Sequence, residues 1–107
     1  MNLEFSVDKL YETGWQPPVS SNAGGAMGME RLPDGRPYPS VLKIQEIFAA
    51  SGYELAIRYV QLFDCYRAVW TDQSGAAAGA VVGSDEREAA VYALAHIRRA
   101  ATAMATS

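Results

Sequence analysis

A single cysteine, Cys65, stands among 107 residues. No intrachain disulfide can form, and the thiolate set of a structural zinc site is missing. With one histidine, His96, the stock of metal ligands is thin. Neither a metal nor another cofactor is expected. A lone thiol suits a reducing compartment. The opening residues Met1-Asn2-Leu3-Glu4-Phe5 lack the basic start and apolar run of a secretory signal, so the cytoplasm is the expected location. No apolar run reaches the roughly 18 residues of a membrane-spanning helix. Runs of basic residues are absent too. Nine Lys and Arg against twelve Asp and Glu leave a net charge of −3, mixed along the chain. Neutralising phosphates takes clustered Lys and Arg, so nucleic acid is disfavoured as a partner. Mild acidity reads as solubility.

What is present supports a folded core. Half of the residues are hydrophobic, more than a disordered chain carries, and the length suits one domain. Residues 1–15 form a short helical segment. Within it Val7, Leu10 and Tyr11 share a face, Ser6 serves as cap and Gly14 as exit. Two turns of helix are marginal alone, so this piece must dock, with Trp15 as anchor. Residues 16–38 read as a flexible loop: Pro17-Pro18 blocks helix, and Gly24-Gly25 and Gly28 favour open chain. Inside it Leu32-Pro33-Asp34-Gly35-Arg36 is a turn, flanked by Met29–Leu32 and Arg36–Tyr38 as a short hairpin.

Residues 39–107 carry the domain proper. After Pro39, Ser40 caps a helix to about Ser51, with Val41, Ile44, Ile47 and Phe48 on one stripe. Past Gly52 the period changes to two. Tyr53, Leu55, Ile57 and Tyr59 alternate with Glu54, Ala56 and Arg58, as on a half-buried strand. A turn at Gln61–Asp64 leads to a second strand, where Tyr66, Ala68 and Trp70 alternate with Cys65, Arg67, Val69 and Thr71. Asp72-Gln73-Ser74-Gly75 is a hairpin loop. Ala76–Gly83 makes a third, weaker strand of small residues. Ser84 is the expected cap of a last helix with Ala90, Leu94, Ile97 and Ala101 as its buried stripe. The predicted fold is α+β: a three-stranded antiparallel sheet with two main helices on one face, in the order α-β-β-β-α.

The succession Val41–Ser51, Tyr53–Val60, Cys65–Asp72, Ala76–Gly83, Asp85–Arg99 resembles the double-stranded RNA-binding domain fold over about sixty residues. The run Gly79-Ala80-Val81-Val82-Gly83 into Ala89-Ala90-Val91-Tyr92-Ala93-Leu94 adds to the likeness. The resemblance implies a divergent nucleic-acid binder as the alternative function. In that family, lysines at the start of the last helix hold phosphates. Here Asp85-Glu86-Arg87-Glu88 stand in their place, so no RNA-contacting residue carries over.

Several constellations invite chemistry. Asp64, Cys65 and His96 have the types of an orienter, a nucleophile and a base, but the predicted elements give no reason for them to meet. Gly24-Gly25-Ala26-Met27-Gly28 lacks the Lys and Ser/Thr of a phosphate loop. Glu86 and Glu88, two apart on a helix, face different ways. Asp34 and Arg36 could act only from an ordered loop over a pocket. Tyr53, Tyr59, Tyr66 and Trp70 could stack bases, yet they fall on the core alternation. The expectation is therefore a non-enzymatic interaction domain. The second sheet face, with Ala56, Arg58, Val60, Cys65, Arg67 and Val69, is too apolar for an ordinary solvated surface. Either the N-terminal helix with Trp15 covers it, or another protein chain does, a second copy included. Arg58, Val60, Cys65, Arg67 and Val69 are the candidate partner-binding residues.

Overall fold

The computed structural model describes residues 3–16 and 29–105, with side chains described as far as residue 100. The predicted open stretch at Pro17–Gly28 lies outside the described residues. In chain order the elements are helix α1 (Leu3–Glu12), strands β1 (Met29–Arg31) and β2 (Pro37–Pro39), helix α2 (Val41–Ala50), strands β3 (Glu54–Val60), β4 (Cys65–Thr71) and β5 (Ala77–Gly83), and helix α3 (Glu86–Ala105). Strands β3, β4 and β5 form an antiparallel sheet in that order, and β1 and β2 form a separate two-stranded one. The α+β architecture read from the sequence is the one observed.

The short hairpin β1–β2 places its prolines by hydrogen-bond parity. Leu32 N–H donates to the Arg36 carbonyl at 2.9 Å, and Pro37 and Pro39 stand opposite Arg31 and Met29. The bonded pairs of an antiparallel ladder alternate, so both prolines fall where an N–H would point away from the partner strand. The outward carbonyl of Pro37 accepts from the Tyr11 hydroxyl at 2.7 Å, which ties the hairpin to α1. Arg36 strengthens the tie by pairing with both Asp8 on α1 and Asp34 in the turn.

Helix α1 starts at Leu3, three residues before the expected cap. Leu3 packs against the core and Phe5 lies 6.2 Å from Tyr92 between ring centroids, so apolar docking extends the helix backwards. Ser6 is buried within it, and its hydroxyl has no hydrogen-bond partner among the described residues. Val7 and Leu10 belong to the same core as the sheet and helices, so the N-terminal segment is integral to it.

Ser40 caps α2 as expected, its side chain accepting from Lys43 N–H at 3.2 Å. For α3 the cap is Asp85, not Ser84. Glu88 N–H donates to Asp85 Oδ1 at 2.8 Å, and Glu88 Oε2 reaches back to accept from Ser84 N–H at 2.9 Å and from its hydroxyl. This is a capping box in which the returning carboxylate overshoots by one residue. Its stripe is also wider than predicted. Ala89, Ala90, Val91, Ala93, Leu94 and Ala95 are all buried, because the sheet, α2 and α1 enclose α3 on several sides. Ile97 is half-buried, and the side chain of Ala101 lies outside the described residues.

The glycines of β5 are spatial requirements. A Cβ on Gly83 would stand 2.7 Å from the Ala89 backbone nitrogen, and one on Gly79 would overlap the Trp70 indole. Small residues let α3 and the Trp70 ring settle onto the sheet. The turn into β5 closes on Gly75, whose φ of 87° takes the left-handed region. Asp72 Oδ1 braces it by accepting from Ser74 N–H (2.9 Å), Ser74 Oγ–H (2.6 Å) and Ala76 N–H (3.2 Å).

One core assignment needs correcting. Leu55 is buried and Tyr53 and Ile57 pack against the core, but Tyr59 is 51% exposed. It lies at the far end of β3, its ring tilted against Tyr66 at 5.2 Å between centroids, and donates its hydroxyl to Asp64 at 2.6 Å. That bond holds the phenol in its protonated form and raises its pKa.

Candidate functional site: the open face of the sheet

The helices lie on one face of the β3–β4–β5 sheet, and the alternation that buries Leu55, Ala68, Trp70 and Val81 sends every other side chain to the opposite face. All five candidate residues lie there. The register sets Arg58 directly across from Arg67 and Val60 across from Cys65, with Val69 across from Ala56. Strand β5 adds Ala80 beside Val69 and Val82 beside Arg67. A shallow groove of about 540 Å³ runs over this face, lined by Glu54, Ala56, Arg58, Val60, Arg67 and Val69 among others.

The groove combines apolar floor with uncompensated charge. Like charges directly opposite on neighbouring strands are unfavourable, yet neither Arg58 nor Arg67 forms an ion pair with a described residue. Glu54 lies on the same face two pleats from Arg58 and also lacks an ion-pair partner among the described residues. At a rise of about 3.3 Å per residue, it sits roughly 13 Å along the strand from Arg58, beyond direct reach.

Helix α1 does not cover this face. It packs along α3 on the helical side, and Trp15 folds back edge-on against Tyr11, 5.4 Å between centroids. Val82 is 47% exposed, and Arg58, Arg67 and Ala80 are exposed as well. No described element lies over them.

The alternation of β3 already showed that Glu54 belongs to this face. Two further residues escaped sequence reasoning. Leu62 and Phe63 are 83% and 73% exposed in a single 3-10 turn between β3 and β4. Asp64 closes the turn in the left-handed region and receives the Tyr59 hydroxyl, so the apolar tip is braced. The signal was two large apolar residues in a stretch that reads only as a reversal.

The proposed chemical constellations separate. Cys65 lies on the open face, whereas His96 on α3 lies on the other side of the sheet, its ring 5.8 Å from Trp70 and 6.5 Å from Tyr92. Asp64 is engaged by Tyr59. Asp34 and Arg36 are spent on each other and on Asp8, and the backbone hydrogen bond from Arg36 leads the contributions that lower the Asp34 pKa. Among the described residues no three His, Cys, Asp or Glu side chains cluster as a metal site would require.

No family model, curated protein or solved structure matches the chain.

Proposed function

We propose that this is a small, non-enzymatic protein–protein interaction domain that docks another protein chain on the open face of its sheet. The supporting observation is the pairing of Ala56, Val60, Val69 and Val82 with the uncountered Arg58–Arg67 pair on a surface that no described residue covers. An apolar patch rimmed by unpaired charge is the composition of a protein interface. Such a chain works as an accessory module in the cytoplasm, where its lone thiol stays reduced. No described helix is long and apolar enough to cross a membrane.

Val60→Lys and Val69→Lys test the reading. Both side chains are half-buried on the open face, so lysine there disturbs docking while leaving the helical core alone. The expected outcome is a changed solution mass, or loss of proteins retained from lysate by the unmodified chain, with the melting temperature nearly constant. Unchanged mass together with unchanged retention would refute the proposal.

The alternative is a divergent nucleic-acid binder using Arg58 and Arg67. Against it, Asp85 and Glu86 occupy the start of α3, where they oppose phosphate. A duplex-RNA shift that weakens steeply with salt would favour this alternative over the first.

A further inference from the structure

The open face carries a charge pattern that is complementary to itself. Along β3 the order is Glu54, Ala56, Arg58, with the acid and the base each about 7 Å from Ala56. Across the sheet, Ala56, Val69 and Ala80 form an uncharged central row. Arg58 and Arg67 lie on one side of that row, with Val60 and Cys65 beyond them, and Glu54 and Thr71 lie on the other.

Two sheets that stack face to face keep their strands roughly aligned, and a symmetric pair then has two choices of axis. An axis parallel to the strands brings the Arg58–Arg67 row onto the same row of the second copy, four cations together. An axis along the Ala56–Val69–Ala80 row reverses the partner's strands instead. Each Glu54 then lies over the partner's Arg58, with the partner's Arg67 one strand away, and the Thr71 hydroxyl faces the partner's Arg67. The central row packs on itself.

We propose that the occupant of the open face is a second copy of this chain, its strands antiparallel to the first across a two-fold axis along Ala56, Val69 and Ala80, so that each Glu54 pairs with Arg58 of the other copy and lies one strand from its Arg67. This rests on the docking reading above and names its partner. Three strands of seven residues offer a face of only about 23 by 14 Å. That is below the roughly 800 Å² per partner of a standard interface, so the dimer is weak and exchanges readily.

Charge reversal tests the arrangement. Sedimentation of the unmodified chain at rising concentration, up to about 0.5 mM, is expected to move from 11.6 kDa towards twice that mass. Glu54→Arg and Arg58→Glu each set like charges against one another at two symmetric contacts. Each alone is expected to weaken association more than about tenfold at low salt. Mixed in equal amounts, the two variants are complementary at both contacts, and native mass spectrometry should show a dimer containing one of each. Both side chains are exposed, and circular dichroism confirms that each variant is folded.

A wild-type chain that stays monomeric overturns the inference, and so does a dimer whose two reversal variants fail to pair. If Val60→Lys and Val69→Lys still dissolve that dimer, the docking face survives and only its axis is wrong. If the lysine variants leave the dimer intact, both fall together.

Discussion

Gly79→Ala is the sharpest probe of how the sheet meets its helices, because its sign depends on one ring. Gly79 pairs with Trp70 across β4 and β5, and the indole lies over the glycine where a Cβ would sit. Trp70 cannot swing aside. It is 4% exposed, with Phe48 at 5.5 Å and His96 at 5.8 Å between ring centroids. Forcing a methyl into such a site costs about 1–3 kcal/mol. Replacing glycine in a strand returns about 0.5–1 kcal/mol of chain entropy. The net expectation is a loss of about 1–2 kcal/mol, and each kcal/mol lowers the Tm of a domain this size by about 4–8 °C.

The double-mutant cycle with Trp70→Leu separates the two contributions. With the ring gone, the three nearest atoms that the added methyl would strike are removed, and Gly79→Ala should become neutral or stabilising by about 0.5 kcal/mol. Urea unfolding followed by far-ultraviolet circular dichroism reads all four corners without relying on tryptophan fluorescence. Trp70→Leu alone costs a few kcal/mol as a cavity, so the cycle is run in sucrose, which strengthens burial. A Gly79→Ala variant more stable than the parent, or one equally unstable in both backgrounds, would refute the packing argument.

Three other outcomes follow from the same geometry. Glu88 is fully buried and accepts from Ser84, so Glu88→Ala should lower the unfolding free energy by about 1–2 kcal/mol, and Glu88→Gln by less, each read as a lower urea midpoint with the m-value unchanged. Hydrogen bonds from Ser74 and Ala76 hold the Asp72 carboxyl below its ordinary pKa. The ionised form therefore favours the fold: its contribution is full above about pH 4 and is lost as pH falls through the depressed value. Thermal melts of Asp72→Ala should accordingly show a shallower decline at acid pH than the parent. Leu62→Ser with Phe63→Ser should leave stability within about 0.5 kcal/mol, since exposed side chains add little. It should also leave the dimer mass unchanged, because the turn lies beyond the end of the proposed contact. A fall in mass would move the interface from the face to the tip.

The sheet was legible because its rhythm is unambiguous. Along β3 and β4 the inward Leu55, Ile57, Tyr66 and Trp70 alternate with the outward Glu54, Arg58, Arg67 and Thr71, and Asp72–Gly75 marks its own turn chemically. Caps were read less well. Ser84 and Asp85 are both good caps, and what decides between them is the reach of Glu88 back to Ser84, a local side-chain choice that leaves Oε1 without a hydrogen-bond partner among the described residues. The reach of α1 back to Leu3 was equally hidden, because its reason is a surface on α3 that does not exist until the fold has formed. The same holds for the breadth of the buried surface of α3: alanines signal close approach from any side, but not from how many.

The open face was legible residue by residue and illegible as a pattern. Alternation assigns Arg58, Val60, Cys65, Arg67 and Val69 to one side, but only the register makes Arg58 and Arg67 neighbours and sets Glu54 beyond Ala56 as their mirror position. A slip of one residue would send the arginines into the core and the tryptophan to solvent. Burial of Trp70 and Leu55 therefore fixes the register, and the fixed register brings two like charges together at a cost. A face that served only as a solvated surface would gain from a glutamate in place of either arginine. Retaining two cations there, with the acid held two pleats away on the same strand, is consistent with a counter-charge that arrives from outside the chain.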